Sequence, residues 1–162
     1  MIRRIAHFKL AILCCLFLAV VACSKKATNN LESGMGAAPG TEQEFTTVVG
    51  DRVYFSEDQS SLTGEAQETL RRQAAWLKKY PEVTVQVEGH ADERGTREYN
   101  IALSARRATA AREFLIAQGI SAKRISSIAY GKERPVAMCD AEQCWSQNRR
   151  AVTVITGGAR TS

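Results

Sequence analysis

Val83-Thr84-Val85-Gln86-Val87-Glu88-Gly89 decides the fold. Its three valines alternate with polar residues, the pattern of a strand buried on one face and open to water on the other. Beyond Gly89 the chain turns through His90 to Thr96. From about Arg97 to Gln118 the apolar positions Ile101, Ala108, Ala111 and Leu115 then recur at helical spacing, with Gly119 as the C-terminal stop.

Working outward, Leu62, Ala66, Leu70, Ala74 and Leu77 stand near four-residue spacing, with Thr63 placed to cap and Pro81 just past the end. That predicts an amphipathic helix, preceded by a strand closing on Val53-Tyr54-Phe55. Downstream, Ile125, Ile128 and Tyr130 predict a third strand ended by Gly131 and Pro135. Gln143 to Arg149 predicts a short helix, and Ala151 to Ile155 a last strand. The order is that of an α+β fold, a two-layer βαβαβ(α)β sandwich with helices packed on one face of a mixed four-stranded sheet. The span from about Val48 to Thr156 suffices for one core but not two.

The N-terminus reads differently. Arg3, Arg4 and Lys9 precede an apolar run from Leu10 to Ala22, which is too short for a comfortable membrane span and stops at Cys23. Val20-Val21-Ala22-Cys23 resembles the bacterial lipobox, which makes residues 1–22 a signal peptide and Cys23 the lipidated residue. Cys14 and Cys15 lack the small residue before them. Ser24 after the cysteine fits sorting to the outer membrane, with the folded part in the periplasm. Loss of residues 1–22 removes three basic groups and no acid from a chain of net charge +5. The remainder is nearly neutral and has no basic stripe with interleaved aromatics, which argues against nucleic-acid binding. Residues 23–46, rich in Asn, Gly, Ala and Thr, read as a tether that spans roughly 75 Å at full stretch. The domain is expected at 47–157 and a tail at 158–162.

After processing, Cys139 and Cys144 are the cysteines without lipid, in an oxidising compartment where pairing is the expected fate. Free thiols and a metal site are the alternatives. The metal reading is short of ligands, because His90 is the sole histidine left.

Chemistry concentrates in Glu88-Gly89-His90-Ala91-Asp92-Glu93-Arg94-Gly95-Thr96, a turn between a strand and a helix, where binding groups collect. The same residues could simply cap the helix and solvate its charged end. Helix geometry favours more. At about 100° per residue, Asn100 lies about 20° from Arg107 and Leu103 about 40° to its other side, all flanking the buried stripe. Arg107 can therefore lean toward the turn that holds Asp92. A carboxylate and a guanidinium so placed form either a structural salt bridge or a clamp for a ligand bearing both an amine and a carboxylate.

Val53-Tyr54-Phe55, the run from Val87 to Thr96 with Glu98-Tyr99-Asn100, Tyr130-Gly131-Lys132-Glu133-Arg134-Pro135 and Ser146-Gln147-Asn148-Arg149-Arg150-Ala151-Val152 together resemble the peptidoglycan-associated lipoprotein family, whose folded part is an OmpA-like domain. The resemblance implies noncovalent binding of peptidoglycan at meso-diaminopimelate, with Asp92 receiving its ammonium and Arg107 its carboxylate. It further implies that Phe55, Glu93, Arg94, Gly95, Thr96, Asn100 and Leu103 line the rest of the site. TolB and other Tol-Pal components are the implied protein partners, and outer-membrane constriction at cell division the implied setting. No cofactor is implied apart from the covalent lipid.

One departure stands out. The family has an aspartate directly after the Phe55 position, where this chain has Ser56, which leaves any charge-based role there without a carrier. Two other readings remain, an OmpA-like lipoprotein outside the Tol system and a peptidoglycan hydrolase using His90, Asp92 and Glu93. No nucleophile elbow or zinc-ligand set accompanies the second, so the chain is read as a binding protein rather than an enzyme.

Overall fold

The computed structural model describes residues 36–161; Cys23, the signal peptide and the beginning of the tether lie outside them. Chain order runs α1 (Glu42–Glu44, continuing as a π-helical turn through Phe45–Gly50), β1 (Arg52–Tyr54), α2 (Gly64–Lys79), β2 (Thr84–Gly89), α3 (Arg97–Ala117), β3 (Ile125–Ala129), α4 (Glu142–Asn148) and β4 (Arg150–Gly157). The four strands form one mixed sheet in the order β1-β4-β2-β3. β4 runs antiparallel to β1 and β2, while β2 and β3 are parallel. A parallel pair needs a crossover, and α3 supplies it.

The valine alternation sets the inner face. Val85 stands opposite Ile125 on one side and Ile155 on the other, and Val87 opposite Thr153. Val83, Val85 and Val87 pack with Leu70, Ala74 and Leu77 of α2 and Ala108, Ala111 and Leu115 of α3 in one core. Burying a side chain of this size contributes about 1.5–3 kcal/mol. The expected caps are in place. The Thr63 hydroxyl accepts from the Ala66 N–H at 3.1 Å, and Gly119 adopts φ +95° just past α3. The α+β architecture is therefore the expected one.

The edges of the domain are not. Phe45 is fully buried and meets Trp76 at 4.9 Å between ring centroids, and the Glu44 carboxylate accepts from the Trp76 indole N–H at 2.7 Å. Ordered structure thus begins before residue 47, and the last residues assigned to the tether are part of the core. The reason is local. One aromatic in a polar stretch carries no periodicity, yet it fills a hole beside Trp76. At the other end Arg160, within the expected tail, donates its N–H to the Gly40 carbonyl at 2.9 Å. Cys139 and Cys144 form the expected disulfide, their Cα atoms 5.6 Å apart. No described helix is long and apolar enough to cross a membrane.

Candidate functional site

β2 delivers the chain to the turn at Gly89, where a Cβ would drive into the backbone carbonyl of Ser104 on α3. The absent side chain lets strand and helix touch. The turn is then fixed from several sides. His90 donates its N–H to Arg150 O at 2.9 Å and Ala91 to Gly131 O at 2.8 Å. The Asn100 side chain donates to Arg94 O at 2.7 Å, and the Lys132 ammonium reaches Glu93 O at 3.0 Å and Gly95 O at 2.8 Å. Gly95 takes φ +83°, and Thr96 caps α3 through the Tyr99 N–H. Such a turn holds its side chains in place before any ligand arrives.

Arg107, ten residues into α3, is fully buried. Its Nε donates to Gln59 O at 2.8 Å, Nη1 to His90 O at 3.0 Å and Nη2 to Ser56 O at 3.2 Å, and its guanidinium lies 5.2 Å from the Phe55 ring centroid. Burial pushes its pKa down to about 10, against the opposing pull of the Asp92 charge. The group stays cationic at neutral pH. Among the described residues no carboxylate lies within ion-pair distance of it. Three carbonyl dipoles solvate the charge without neutralising it, an expensive arrangement that an incoming anion relieves.

Asp92, 7% exposed, has its own cations. Arg94 donates to it from the backbone at 3.2 Å and from the guanidinium at 2.7 and 3.2 Å, and Arg149 reaches it at 3.4 Å. Burial alone would raise its pKa, but these hydrogen bonds and charges hold it below the usual aspartate range. Asp92 is therefore an anion at neutral pH. Arg94 also pairs with Glu57 at 2.8 Å and stacks 4.1 Å over Trp145, and buried Arg149 pairs with Glu142.

Between Asp92 and Arg107 opens a shallow cavity of about 240 Å³. Of the residues expected at the site, Asp92, Arg94, Gly95, Asn100, Leu103 and Arg107 line it. Three do not. Phe55 lies beneath the Arg107 guanidinium, the Glu93 carboxylate is bonded to the Trp145 indole N–H, and Thr96 is spent on its cap. Arg107 leans toward the turn that holds Asp92, but the two form no salt bridge; the cavity lies between them, with Arg94 against the carboxylate.

The wall also carries Glu57, Asp58 and Tyr99, which sequence reasoning did not single out. Asp58 matters most. Ser56 offers Arg107 only its carbonyl, and Asp58, two residues on, brings a carboxylate to the wall at φ +53° and accepts from the Tyr99 hydroxyl. The run Ser56-Glu57-Asp58 contains the signal, displaced by two residues from the position directly after Phe55. Arg149 was likewise visible only as part of a motif.

The arrangement suits a small zwitterion, because carboxylates on the wall meet an ammonium and the guanidinium at the base meets an anion. His90 is not on the wall. It is 2% exposed, desolvation and then the charges of Arg150 and Arg134 push its pKa down to about 4, and neither ring nitrogen has a hydrogen-bond partner among the described residues. His90 is thus buried, neutral and without a hydrogen-bond partner among the described residues, Glu88 staying 3.7 Å from its Nε2. No cluster able to hold a metal ion occurs among the described residues.

Comparison with known proteins identifies the family. Residues 54–150 match the OmpA family. The peptidoglycan-associated lipoprotein of Brucella melitensis is 53% identical over 98% of both chains, and that of Haemophilus influenzae 40% identical over 83% of this chain and 88% of its own. The crystal structure of the peptidoglycan-associated lipoprotein from Burkholderia pseudomallei superposes with a TM-score of 0.64 at 40% identity, over 65% of this chain and 90% of that one. The C-terminal domain of Helicobacter pylori MotB shares the fold, with a TM-score of 0.62 at 23% identity over 66% of this chain and 84% of its own. A matched domain spanning more than half of the sequence, with relatives this similar along nearly all of it, makes the chain a member of the OmpA family and, within it, of the peptidoglycan-associated lipoproteins.

Proposed function

We propose that this protein binds peptidoglycan noncovalently through the cavity between Asp92 and Arg107, with meso-diaminopimelate as the group recognised. The free end of that residue carries an ammonium and a carboxylate on one carbon. Its carboxylate meets Arg107 and its ammonium meets Asp92, with Asp58 as a second acceptor. The observation that carries this reading is the buried Arg107 cation, solvated by three carbonyls and paired with no carboxylate among the described residues. The names of its relatives support the ligand class. Lipidation at Cys23 would hold the protein to the outer membrane, with the domain in the periplasm, since each buried methylene contributes about 0.8 kcal/mol. Membership in the family supports a place in the Tol-Pal system, with TolB as partner and a role in outer-membrane constriction at division.

Sedimentation with purified sacculi tests the site. Asp92→Asn and Arg107→Lys preserve size while removing, respectively, the charge and the planar fork. Both are expected to lower the bound fraction at least tenfold at unchanged circular dichroism, on the scale of a desolvated ion pair losing one member. Wild-type sedimentation of both variants would place the ligand elsewhere. Periplasmic crosslinking that recovers no TolB would remove the Tol-Pal assignment while leaving the wall contact intact.

A further inference from the structure

The disulfide segment stands outside the cavity, yet it touches both arginines that hold Asp92. α4 is seven residues long, and its N-cap, Ala141, has no side-chain oxygen to satisfy the first turn. A helix so short does not persist alone. Two devices hold it. At its start the disulfide joins Cys144 to Cys139. At its end the buried Asn148 side chain accepts from the N–H groups of Val136 at 2.9 Å and Ala137 at 3.2 Å and donates to Ala137 O at 2.8 Å.

Thus fixed, α4 presents two side chains to the site. The Trp145 ring lies 4.1 Å under the Arg94 guanidinium and its N–H is bonded to Glu93. Glu142 takes both terminal nitrogens of Arg149, whose Nη1 also reaches Asp92 and whose Nε donates to Phe55 O at 3.1 Å. Each contact sets the position of a cation competing for the Asp92 carboxylate.

We infer that α4, tied by the Cys139–Cys144 disulfide, is a positioning element for the cavity, acting through Trp145 on Arg94 and through Glu142 on Arg149. The inference rests on the reading of the cavity as the peptidoglycan site. With α4 in place, Arg94 is shared between Asp92 and Glu57 over the Trp145 ring, and Arg149 is partly neutralised by Glu142, so Asp92 retains charge for an ammonium. With α4 loosened, Arg149 loses Glu142 and is free to close on Asp92 from its present 3.4 Å, while Arg94 loses the ring that fixes its seat on the carboxylate.

The test compares sacculus binding by the whole mature protein and its Trp145→Ala, Trp145→Phe, Glu142→Gln and Cys139→Ser/Cys144→Ser variants, with Asp92→Asn as reference. Trp145→Ala is expected to weaken binding about 3- to 10-fold, on the scale of one cation–π contact. Phe should restore it to within about twofold, a rescue that a purely structural role of the indole would not give. The double serine variant and Glu142→Gln should each lose about threefold or more. The Arg94 Nε–H resonance, shielded by the indole ring in the wild type, should move toward its free value in the double serine variant whether or not ligand is present. If that variant fails to fold, the Trp145 pair alone decides. Wild-type binding by Trp145→Ala and an unmoved Arg94 resonance, with Asp92→Asn impaired, overturn the inference and leave the site standing. Wild-type binding by Asp92→Asn overturns both.

Discussion

Arg107 carries its charge beneath the surface, and the carbonyls of Gln59, His90 and Ser56 are what make that tolerable. Truncation to alanine leaves these acceptors facing a hole, and Arg107→Ala is expected to lose about 2–4 kcal/mol of stability, visible as a lower thermal midpoint. Binding loss in that variant would then be ambiguous, which is why Arg107→Lys is the better probe. His90 makes a second expectation. In the folded state its pKa is about 4, against about 6.5 unfolded. Above that upper value both states are neutral and nothing changes. As pH falls through the window between them, the unfolded chain takes a proton that the folded chain refuses, and stability declines. Urea unfolding at pH 7 and pH 5 should differ by about 2 kcal/mol from this group, and His90→Phe should remove that difference; an equal acid loss in the variant would assign it elsewhere. At this scale the sequence showed Arg107's direction and not its depth. A helical wheel gives an angle, and acceptors on the backbone leave no trace in residue identity. Asp58 escaped for a related reason, because its left-handed backbone bends the carboxylate into the site from a position that simple spacing does not suggest.

At the scale of elements, the contact between β2 and α3 places the turn over the buried guanidinium. Gly89→Ala forces a Cβ into the Ser104 carbonyl, while Gly131, at φ +57°, packs against Ile101 from the other side. Gly89→Ala is expected to destabilise by more than about 3 kcal/mol or to prevent folding; a thermal midpoint within a degree or two of wild type would contradict the close approach. Strands and helices were legible in the alternation of Val83, Val85 and Val87 and the spacing from Leu62 to Leu77, because burial imposes those periods directly. α3 was harder to read. Its N-terminal half buries Asn100, Ser104 and Arg107 beside Leu103, so the stripe there is polar, and Ile101, expected in it, is only half-buried. The helix breaks the apolar pattern where it lines the site.

For the molecule as a whole, the start of the domain controls both its stability and its reach. Phe45 is fully buried, and Phe45→Ala is expected to cost about 3–5 kcal/mol. A chain beginning at residue 47 should unfold at a markedly lower temperature than one beginning at residue 37, and equal midpoints would return the segment to the tether. Thirteen residues separate Cys23 from Ala37, so a fully extended connection reaches at most about 47 Å, well short of the span expected for a tether running to residue 46. Everything proposed for the protein at the wall nevertheless depends on one recognition event in one small cavity. Stem peptides that differ only in carrying meso-diaminopimelate or lysine differ by the single carboxylate assigned to Arg107. Titration of the protein with both by calorimetry is expected to give at least tenfold tighter binding of the meso-diaminopimelate peptide, and equal affinity for the two would contradict the assignment.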